Sequence, residues 1–127
     1  MDHEKHVFLV VEDFEDSRFM MRRLLEMAGY SVLEASDGEE AVELAVQKRP
    51  AVILMDLSLP KLDGLAATRK IRQHESLGKV PIVAVSARDS HDTRAEALEA
   101  GCDEYVTKPI DFDHLNALLK TFLPEEG

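Results

Sequence analysis

The sequence predicts an α/β fold, in which helices cover both faces of a parallel β-sheet. Short apolar segments alternate with amphipathic segments five times along the chain. Three of the apolar segments, Val7–Val11, Ala51–Met55 and Pro81–Val85, contain no polar residue, which is typical of strands buried on both faces. Strands that alternate with helices form parallel sheets through right-handed crossover connections.

The first two amphipathic segments have clear helix signals. Asp16–Ala28 carries apolar residues at helical spacing, and Gly29 marks its end. Ser31–Ala35 predicts a short second strand. Ser36–Glu39 has the pattern of a capping box, so we expect the second helix to begin there and to run to Lys48.

The second half of the chain repeats this alternation. A helix is predicted from about Gly64 to His74, and an alanine-rich helix from about Ser90 to Ala100. Glu104–Thr107 predicts a short last strand, and Asp111 caps a final helix. The final helix has four apolar residues on one face: Leu115, Leu118, Leu119 and Phe122.

Length and composition are those of a one-domain globular protein. The chain has 127 residues, of which 45% are apolar and 31% charged. We expect residues 1–127 to form one domain, with its core in about 6–123 and short loose ends.

Hydropathy, cysteine content and charge argue against several classes of protein. No apolar run approaches the roughly 20 residues that cross a bilayer, and the first residues lack a secretory signal. The single cysteine, Cys102, cannot form an internal disulfide, which fits a reducing cytoplasm. The net charge of −10 argues against binding to a nucleic-acid backbone. We therefore expect a cytoplasmic protein without membrane insertion or direct nucleic-acid contact.

Polar residues follow four of the predicted strands. Glu12 and Asp13 follow the first strand, Asp56 the third, Ser86 the fourth and Lys108 the fifth. Because parallel strands end at one edge of an open sheet, and ligands bind there, these side chains are expected to converge.

Three carboxylates at one edge repel one another unless a cation neutralises them. Mg²⁺ is suited to such a site because it binds carboxylates, waters and phosphate oxygens. With Mg²⁺ and Lys108 the charges balance, and a carboxylate can then act as the nucleophile that becomes an aspartyl phosphate. The alternative is that Glu12 and Asp13 only cap the first helix and that Lys108 pairs with one of them.

The order and spacing of the motifs resemble the CheY-type receiver domain of response regulators in bacterial two-component signalling. The resemblance covers about His6–Leu123. Its motifs are Glu12-Asp13, Asp56–Pro60 with Asp63-Gly64, Ser86-Ala87 and Lys108-Pro109. It implies a flavodoxin-like (CheY-like), doubly wound sheet of five parallel strands in the order 2-1-3-4-5, with five helices.

The resemblance also implies roles for the residues at the sheet edge. Asp56 is the expected phosphoacceptor. Asp13, Asp56 and the backbone carbonyl of Ser58 are the expected Mg²⁺ ligands, and Glu12 is expected to reach the ion through water. Lys108 is expected to hold a phosphoryl oxygen.

Further roles concern the response to the phosphoryl group. A cis peptide bond before Pro109 is expected to aim the lysine that precedes it. Ser86 is expected to donate a hydrogen bond to the phosphoryl group, and Tyr105 to change rotamer when it does. Ser58 and Arg88, each two residues beyond a site residue, are expected to tune how long the phosphoryl group lasts.

The resemblance implies two kinds of protein partner. The phosphoryl donor is a phosphohistidine of a histidine kinase or of a histidine phosphotransfer protein, and the target downstream is another protein. Phe19 should be exposed on the first helix, opposite Met20 and Met21, and with Phe14 it is a candidate contact for the donor. Met20, Met21 and Met27 are expected in the core.

Two other functions use the same residues. A Mg²⁺-dependent phosphatase can also use an aspartate nucleophile after a strand, but such enzymes resemble Asp-x-Asp, and the second acidic position is Ser58 here. A receiver-like module can also bind partners without phosphorylation, and the complete set of acidic, hydroxyl and lysine residues argues against that function.

Overall fold

The computed structural model describes residues 6–59, 61–88 and 90–123. Its strands are β1 (Val7–Val11), β2 (Ser31–Ala35), β3 (Val52–Asp56), β4 (Ile82–Ser86) and β5 (Glu104–Thr107). Its helices are α1 (Glu15–Met27), α2 (Gly38–Lys48), α3 (Gly64–Gln73), α4 (His91–Ala100) and α5 (Phe112–Lys120), with a short 3-10 turn at Glu75–Leu77. The predicted loose ends, Met1–Lys5 and Pro124–Gly127, lie outside the described residues, as does Pro60 of the third-strand motif.

The five strands form one parallel sheet in the order β2-β1-β3-β4-β5, which confirms the predicted fold. The register aligns the carboxyl ends of the strands: Val11 lies opposite Met55, and Asp56 opposite Val85. Asp56 and Ser86 are the last residues of β3 and β4, so both strands end one residue later than the apolar runs indicate. Both polar side chains therefore sit on the rigid sheet instead of in the loops that follow it.

Two apolar layers enclose the sheet. On one face, side chains of α2, α3 and α4 such as Ala41, Ile71 and Ala97 are fully buried. On the other face, Leu25 of α1 and Leu115 of α5 are fully buried. Among the described residues, no helix is long and apolar enough to cross a membrane.

The start of α2 corrects the predicted capping box. The N-cap is Asp37, not Ser36, and its carboxylate accepts a hydrogen bond of 2.8 Å from the Glu40 backbone N–H. The Glu40 carboxylate in turn accepts a bond of 2.9 Å from the Ser36 backbone N–H. Aspartate caps helices as well as serine does, and here it moves the whole motif one residue along the chain. At α5, the predicted cap at Asp111 is confirmed.

The prediction of which α1 side chains are buried is partly wrong. Met20 is 60% exposed and Met27 is 76% exposed, whereas Met21 is partly buried and Leu25 is fully buried. Met20 and Met27 lie seven residues apart, so they share the side of the helix that faces away from Leu25. Phe19 is exposed, as predicted.

The amino edge of the sheet is held by Arg72, near the end of α3. Its guanidinium donates to the carbonyls of Gly101 at 2.8 Å and Val80 at 2.7 Å, and to that of Leu77 at 3.1 Å. It also donates to the Asp103 carboxylate at 2.9 Å. One side chain therefore ties α3 to the segments that lead into β4 and β5.

Replacing Arg72 by methionine should lower the free energy of unfolding by about 3 kcal/mol, because several half-buried carbonyls lose a charged donor. Urea unfolding measures the change. Arg69→Met is the matched control, since Arg69 is exposed on the same helix and its replacement should cost less than about 0.5 kcal/mol. Equal losses in the two variants would show that the Arg72 contacts contribute nothing beyond an ordinary surface arginine.

Candidate functional site

Five side chains, at or just after the ends of four strands, lie around the carboxyl edge of the sheet. The carboxylates of Glu12, Asp13 and Asp56 each place an oxygen within 4.8 Å of the others. The Lys108 ammonium donates to Glu12 Oε1 at 2.9 Å and to Asp56 Oδ2 at 3.1 Å. Ser86 is buried at the end of the neighbouring strand β4. The predicted convergence of these residues is confirmed.

Lys108 is the cation that balances the two buried carboxylates. Glu12 is 7% exposed and Asp56 is 4% exposed, so two carboxylates lie largely out of water at the ends of adjacent strands. Burial alone works to lower the pKa of Lys108, but hydrogen bonds to Glu12 and Asp56 and the charges of both outweigh it, and the pKa lies above its ordinary value. The lysine is therefore a cation at neutral pH.

The Asp56 carboxylate is held at both oxygens. Oδ1 accepts a hydrogen bond of 2.9 Å from the Ser58 backbone N–H, and Oδ2 accepts the bond from Lys108. The start of α3 packs on the backbone of the same residue: a Cβ at Gly64 would lie 2.3 Å from the Asp56 carbonyl oxygen. Only glycine permits this approach, which keeps the β3–α3 connection close to the site.

The Glu12 carboxylate bonds both the start of α1 and Lys108. Its Oε2 accepts a hydrogen bond of 3.1 Å from the Phe14 backbone N–H, while its Oε1 binds Lys108. Phe14 is the N-cap of α1, and its own side chain makes no capping hydrogen bond. Lys108 pairs with Glu12 and Asp56 together and not with a single partner. The alternative is right that Lys108 pairs with Glu12 and that Glu12 bonds the start of α1, but it does not account for the second bond from Lys108 to Asp56.

The three carboxylates can hold a metal ion. Their oxygens are the hard donors that Mg²⁺ and Ca²⁺ prefer, and their separation allows one ion to reach all three residues. Asp13 is exposed, whereas Glu12 and Asp56 are buried, so the cluster opens to solvent on one side.

The Arg88 backbone connects Ser86 to Tyr105. Its N–H donates to Ser86 Oγ at 3.0 Å, and its carbonyl accepts a hydrogen bond from the Tyr105 hydroxyl. The Tyr105 ring is buried, with the Arg94 guanidinium 4.7 Å from its centre. Neither the contacts of the Arg88 backbone nor the position of Arg94 over the Tyr105 ring was predicted, because no sequence motif indicates them.

The other predicted site residues lie at the rim. The peptide bond between Lys108 and Pro109 is cis, as the resemblance implies. The Ser58 and Arg88 residues are exposed, and Phe14 is exposed at the start of α1. A cavity of about 340 Å³ opens beside Asp56 between α1 and the β5–α5 connection. Its apolar wall includes Met20, Met21, Leu24, Pro109 and Ile110.

Comparison with known proteins identifies the family. The model of the response regulator receiver domain matches residues 8–120, nearly the whole chain. The chain belongs to the receiver domain family. Receiver domains are the part of response regulators that interacts with histidine kinases in two-component signalling.

Curated relatives of this receiver domain are longer proteins. It is 39% identical over 115 residues to the alkaline phosphatase synthesis transcriptional regulatory protein PhoP of Bacillus subtilis, covering 91% of this chain and 47% of that protein. It is 41% identical over 124 residues to the response regulator MprA of Mycobacterium sp. strain KMS, covering 94% of this chain and 53% of that protein. The chain therefore spans about half the length of these relatives.

Solved receiver structures superpose closely on this one. The receiver domain of the sensor histidine kinase PA1611 from Pseudomonas aeruginosa, described with a magnesium ion coordinated in its active site cleft, is 36% identical, with a TM-score of 0.88. That match covers 94% of this chain and 98% of the other. The chemotaxis protein CheY4 of Vibrio cholerae is 28% identical, with a TM-score of 0.89 and coverage of 94% and 100%.

Gly64→Ala should lower the free energy of unfolding by about 2–3 kcal/mol, because the added methyl group meets backbone atoms of Asp56 and Leu57 that cannot move aside. Thermal or urea unfolding measures the loss. Gly78→Ala is the control: the new Cβ would lie 3.6 Å from the Glu75 carbonyl oxygen, and Gly78 has helical backbone angles. Equal stability of the two variants would mean that the receiver tolerates a wider β3–α3 connection than its geometry shows.

Proposed function

We propose that Asp56 accepts a phosphoryl group from a phosphohistidine of a histidine kinase or histidine phosphotransfer protein, in a reaction that requires Mg²⁺. The observation that carries the proposal is the arrangement of the Asp56 carboxylate. It lies buried at the carboxyl edge of the sheet, fixed by Ser58 and Lys108 beside the carboxylates of Glu12 and Asp13. The proposed receiver domain covers residues 1–127 and acts in the cytoplasm.

The residues present fit a Mg²⁺ site. Asp13 and Asp56 are the proposed direct ligands, with the Ser58 backbone carbonyl, and Glu12 reaches the ion through water. The likeness to the PA1611 receiver, whose structure has magnesium in its active site cleft, supports this assignment. When bound, the ion neutralises charge on the carboxylates and on the oxygens of the phosphoryl group.

The protein residues position the reactants. An Asp56 carboxylate oxygen attacks phosphorus, a P–O bond forms, and the P–N bond to the donor histidine breaks, so that the imidazole leaves. Lys108, already charged and 3.1 Å from Asp56 Oδ2, holds an oxygen of the transferred group. Because such transfers need little covalent chemistry from the protein, this positioning supplies most of the catalysis.

The catalytic activity of the chain is limited to its own modification: it phosphorylates Asp56 and slowly hydrolyses the product. Ser58 and Arg88 are both exposed and flank the path of an attacking water. Water must reach phosphorus on the side opposite Asp56, so side chains at this rim set the lifetime of the phosphoryl group.

The apolar surface beside the site is the proposed contact for the phosphoryl donor. Phe14 and Phe19 are more than half exposed, and exposed Met20 continues the surface towards the cavity next to Asp56. An exposed apolar patch of this kind marks a protein contact more often than an isolated residue does. A partner docked here would bring its phosphohistidine to Asp56.

Phosphorylation is proposed to act at a distance through Ser86 and Tyr105. Ser86 Oγ accepts from the Arg88 N–H, and Tyr105 donates to the carbonyl of the same residue. If Ser86 turns to the phosphoryl group, the Arg88 backbone loses one partner and the Tyr105 ring loses a fixed acceptor. Helix α4 buries only Ala97 and Ala100, so its hold on the sheet is weak enough to permit a second packing.

Incubation with acetyl phosphate and Mg²⁺ should add one phosphoryl group to the wild-type chain and none to Asp56→Asn. Intact-mass spectrometry measures the product, and circular dichroism checks that the variant is folded. A phosphorylated Asp56→Asn chain would contradict the assignment. Rapid release of phosphate without a stable adduct would indicate a phosphatase, and no reaction in the wild type would indicate a module that works without phosphorylation.

Ser58→Ala and Arg88→Ala should each change the rate at which the phosphoryl group is lost, by roughly tenfold or less, which is about 1.4 kcal/mol in the barrier. The decay is followed by mass spectrometry after acetyl phosphate is removed. Decay rates equal to wild type in both variants would exclude these residues from the path of the water.

Ser86→Ala should uncouple the site from α4 and β5. Beryllofluoride, which mimics the phosphoryl group, should shift amide resonances from Ser86 to Phe112 in the wild type. A hydrogen bond to a charged group contributes about 1.5–3 kcal/mol, enough to change a two-state equilibrium tenfold or more. In Ser86→Ala most of the distant shifts should disappear, and their persistence would rule out this route while leaving Asp56 as the acceptor.

A further inference from the structure

The main chain of Glu12 is held from two sides. Its N–H donates to the Ala35 carbonyl of β2 at 3.0 Å, which extends the β1–β2 pairing by one residue. Its carbonyl accepts a hydrogen bond of 2.9 Å from the Arg18 guanidinium. Glu12 and Asp13, two of the three carboxylates of the site, therefore sit on a backbone segment whose position depends on a side chain of α1.

Arg18 is itself fixed by Glu34 of β2. The Arg18 Nε donates to Glu34 Oε1 at 3.0 Å, and the Arg18 side chain is 18% exposed. The second oxygen of Glu34 accepts from Arg22 at 2.6 Å. Burial works to raise the pKa of Glu34, but the hydrogen bonds from Arg22 and Arg18 outweigh it and hold the pKa below its ordinary value. Glu34 is thus ionised, and its bond to Arg18 orients the Arg18 guanidinium towards the Glu12 carbonyl.

Other arginines of α1 make no such connection. Arg23 is exposed, and its ion pair with Glu26 has a separation of 3.8 Å, which is a weak surface contact within one helix. Arg22 meets Glu34 and Glu26 and lies over the Phe19 ring. Among the described side chains of α1, Arg18 is the arginine that bonds directly to the segment with the metal-binding carboxylates.

We propose that Arg18, aimed by Glu34, is a positioning residue for the metal site: it holds the Glu12–Asp13 backbone where both carboxylates can serve one ion with Asp56. This inference rests on the proposed function. Loss of the Arg18 bond leaves the Glu12 carbonyl without that donor and lets the β1–α1 connection move. Glu12 and Asp13 are still present but are no longer held in position, so the affinity for the metal ion falls. Outer partners that orient metal ligands typically change affinity by about 10–100-fold.

The test is a Mg²⁺ titration of the whole chain followed by ¹⁵N amide shifts, at a temperature where every variant is folded. Arg18→Met, which keeps most of the side-chain length, should raise the Mg²⁺ dissociation constant by about tenfold. Glu34→Gln keeps Arg18 but removes the charge that orients it, so it should also raise the dissociation constant, by less than Arg18→Met does. Arg23→Met is the matched control and should bind Mg²⁺ as the wild type does. Asp13→Asn should lose most of the binding.

The pattern of results separates this inference from the proposed function. If Asp13→Asn binds Mg²⁺ like the wild type, the metal site itself is wrong, and the role of Arg18 fails with it. If Asp13→Asn loses binding but Arg18→Met and Glu34→Gln keep the wild-type constant, only the positioning role fails. A lower melting temperature without weaker Mg²⁺ binding would show a purely structural role and also overturns the inference. If Arg18→Met does not fold, Glu34→Gln decides the question.

Discussion

The ammonium of Lys108 between the carboxylates of Glu12 and Asp56 is the interaction on which the site depends. Two carboxylates buried at the ends of adjacent strands repel each other, and this repulsion costs more as water is excluded. Lys108 does not come from a neighbouring strand, because β4 lies between β3 and β5. Its backbone N–H donates to the Ser86 carbonyl at 2.8 Å, and its long side chain reaches across the end of β4.

The amino and carboxyl edges of the sheet differ in their charged side chains. At the amino edge, Arg72 satisfies several carbonyls at once and ties α3 to the segments before β4 and β5. At the carboxyl edge, negative charges are gathered with one lysine, and α4 is held by few buried side chains. The amino edge therefore has a network of hydrogen bonds around one arginine, and α4 beside the carboxyl edge buries two small side chains. The carboxyl edge has three carboxylates and one lysine, and under the proposed function a metal ion balances the remaining negative charge.

Local sequence patterns predicted the strands, the helices and the residues that meet at the sheet edge, whereas the strand order was implied by the family resemblance. Apolar runs mark the strands, and the residue at the end of each run must lie at the sheet edge, which places Asp56 and Ser86. The burial of α1 was predicted less well, since three methionines near Leu24 fit two different helix faces. Only the packing of Leu25 on the sheet selects one of them.

Contacts made by long side chains and by the backbone could not be predicted. Arg18 reaches Glu34, sixteen residues away in the sequence, because β1 pairs with β2 and α1 lies over both. The Arg88 backbone joins Ser86 to Tyr105 only after β4 and β5 are paired. Such contacts depend on how helices and strands are arranged in space, which cannot be predicted from residue type or spacing.

Under the proposed function, Asp56 itself carries the phosphoryl group. The most direct measurement treats the wild-type chain with acetyl phosphate and Mg²⁺, reduces the acyl phosphate with borohydride, and sequences the peptides by mass spectrometry. Reduction converts a phosphorylated aspartate to homoserine and leaves free carboxylates unchanged. Homoserine should be found at position 56 alone. Homoserine at position 13, or a reduced glutamate at position 12, with an unmodified Asp56, would contradict the account.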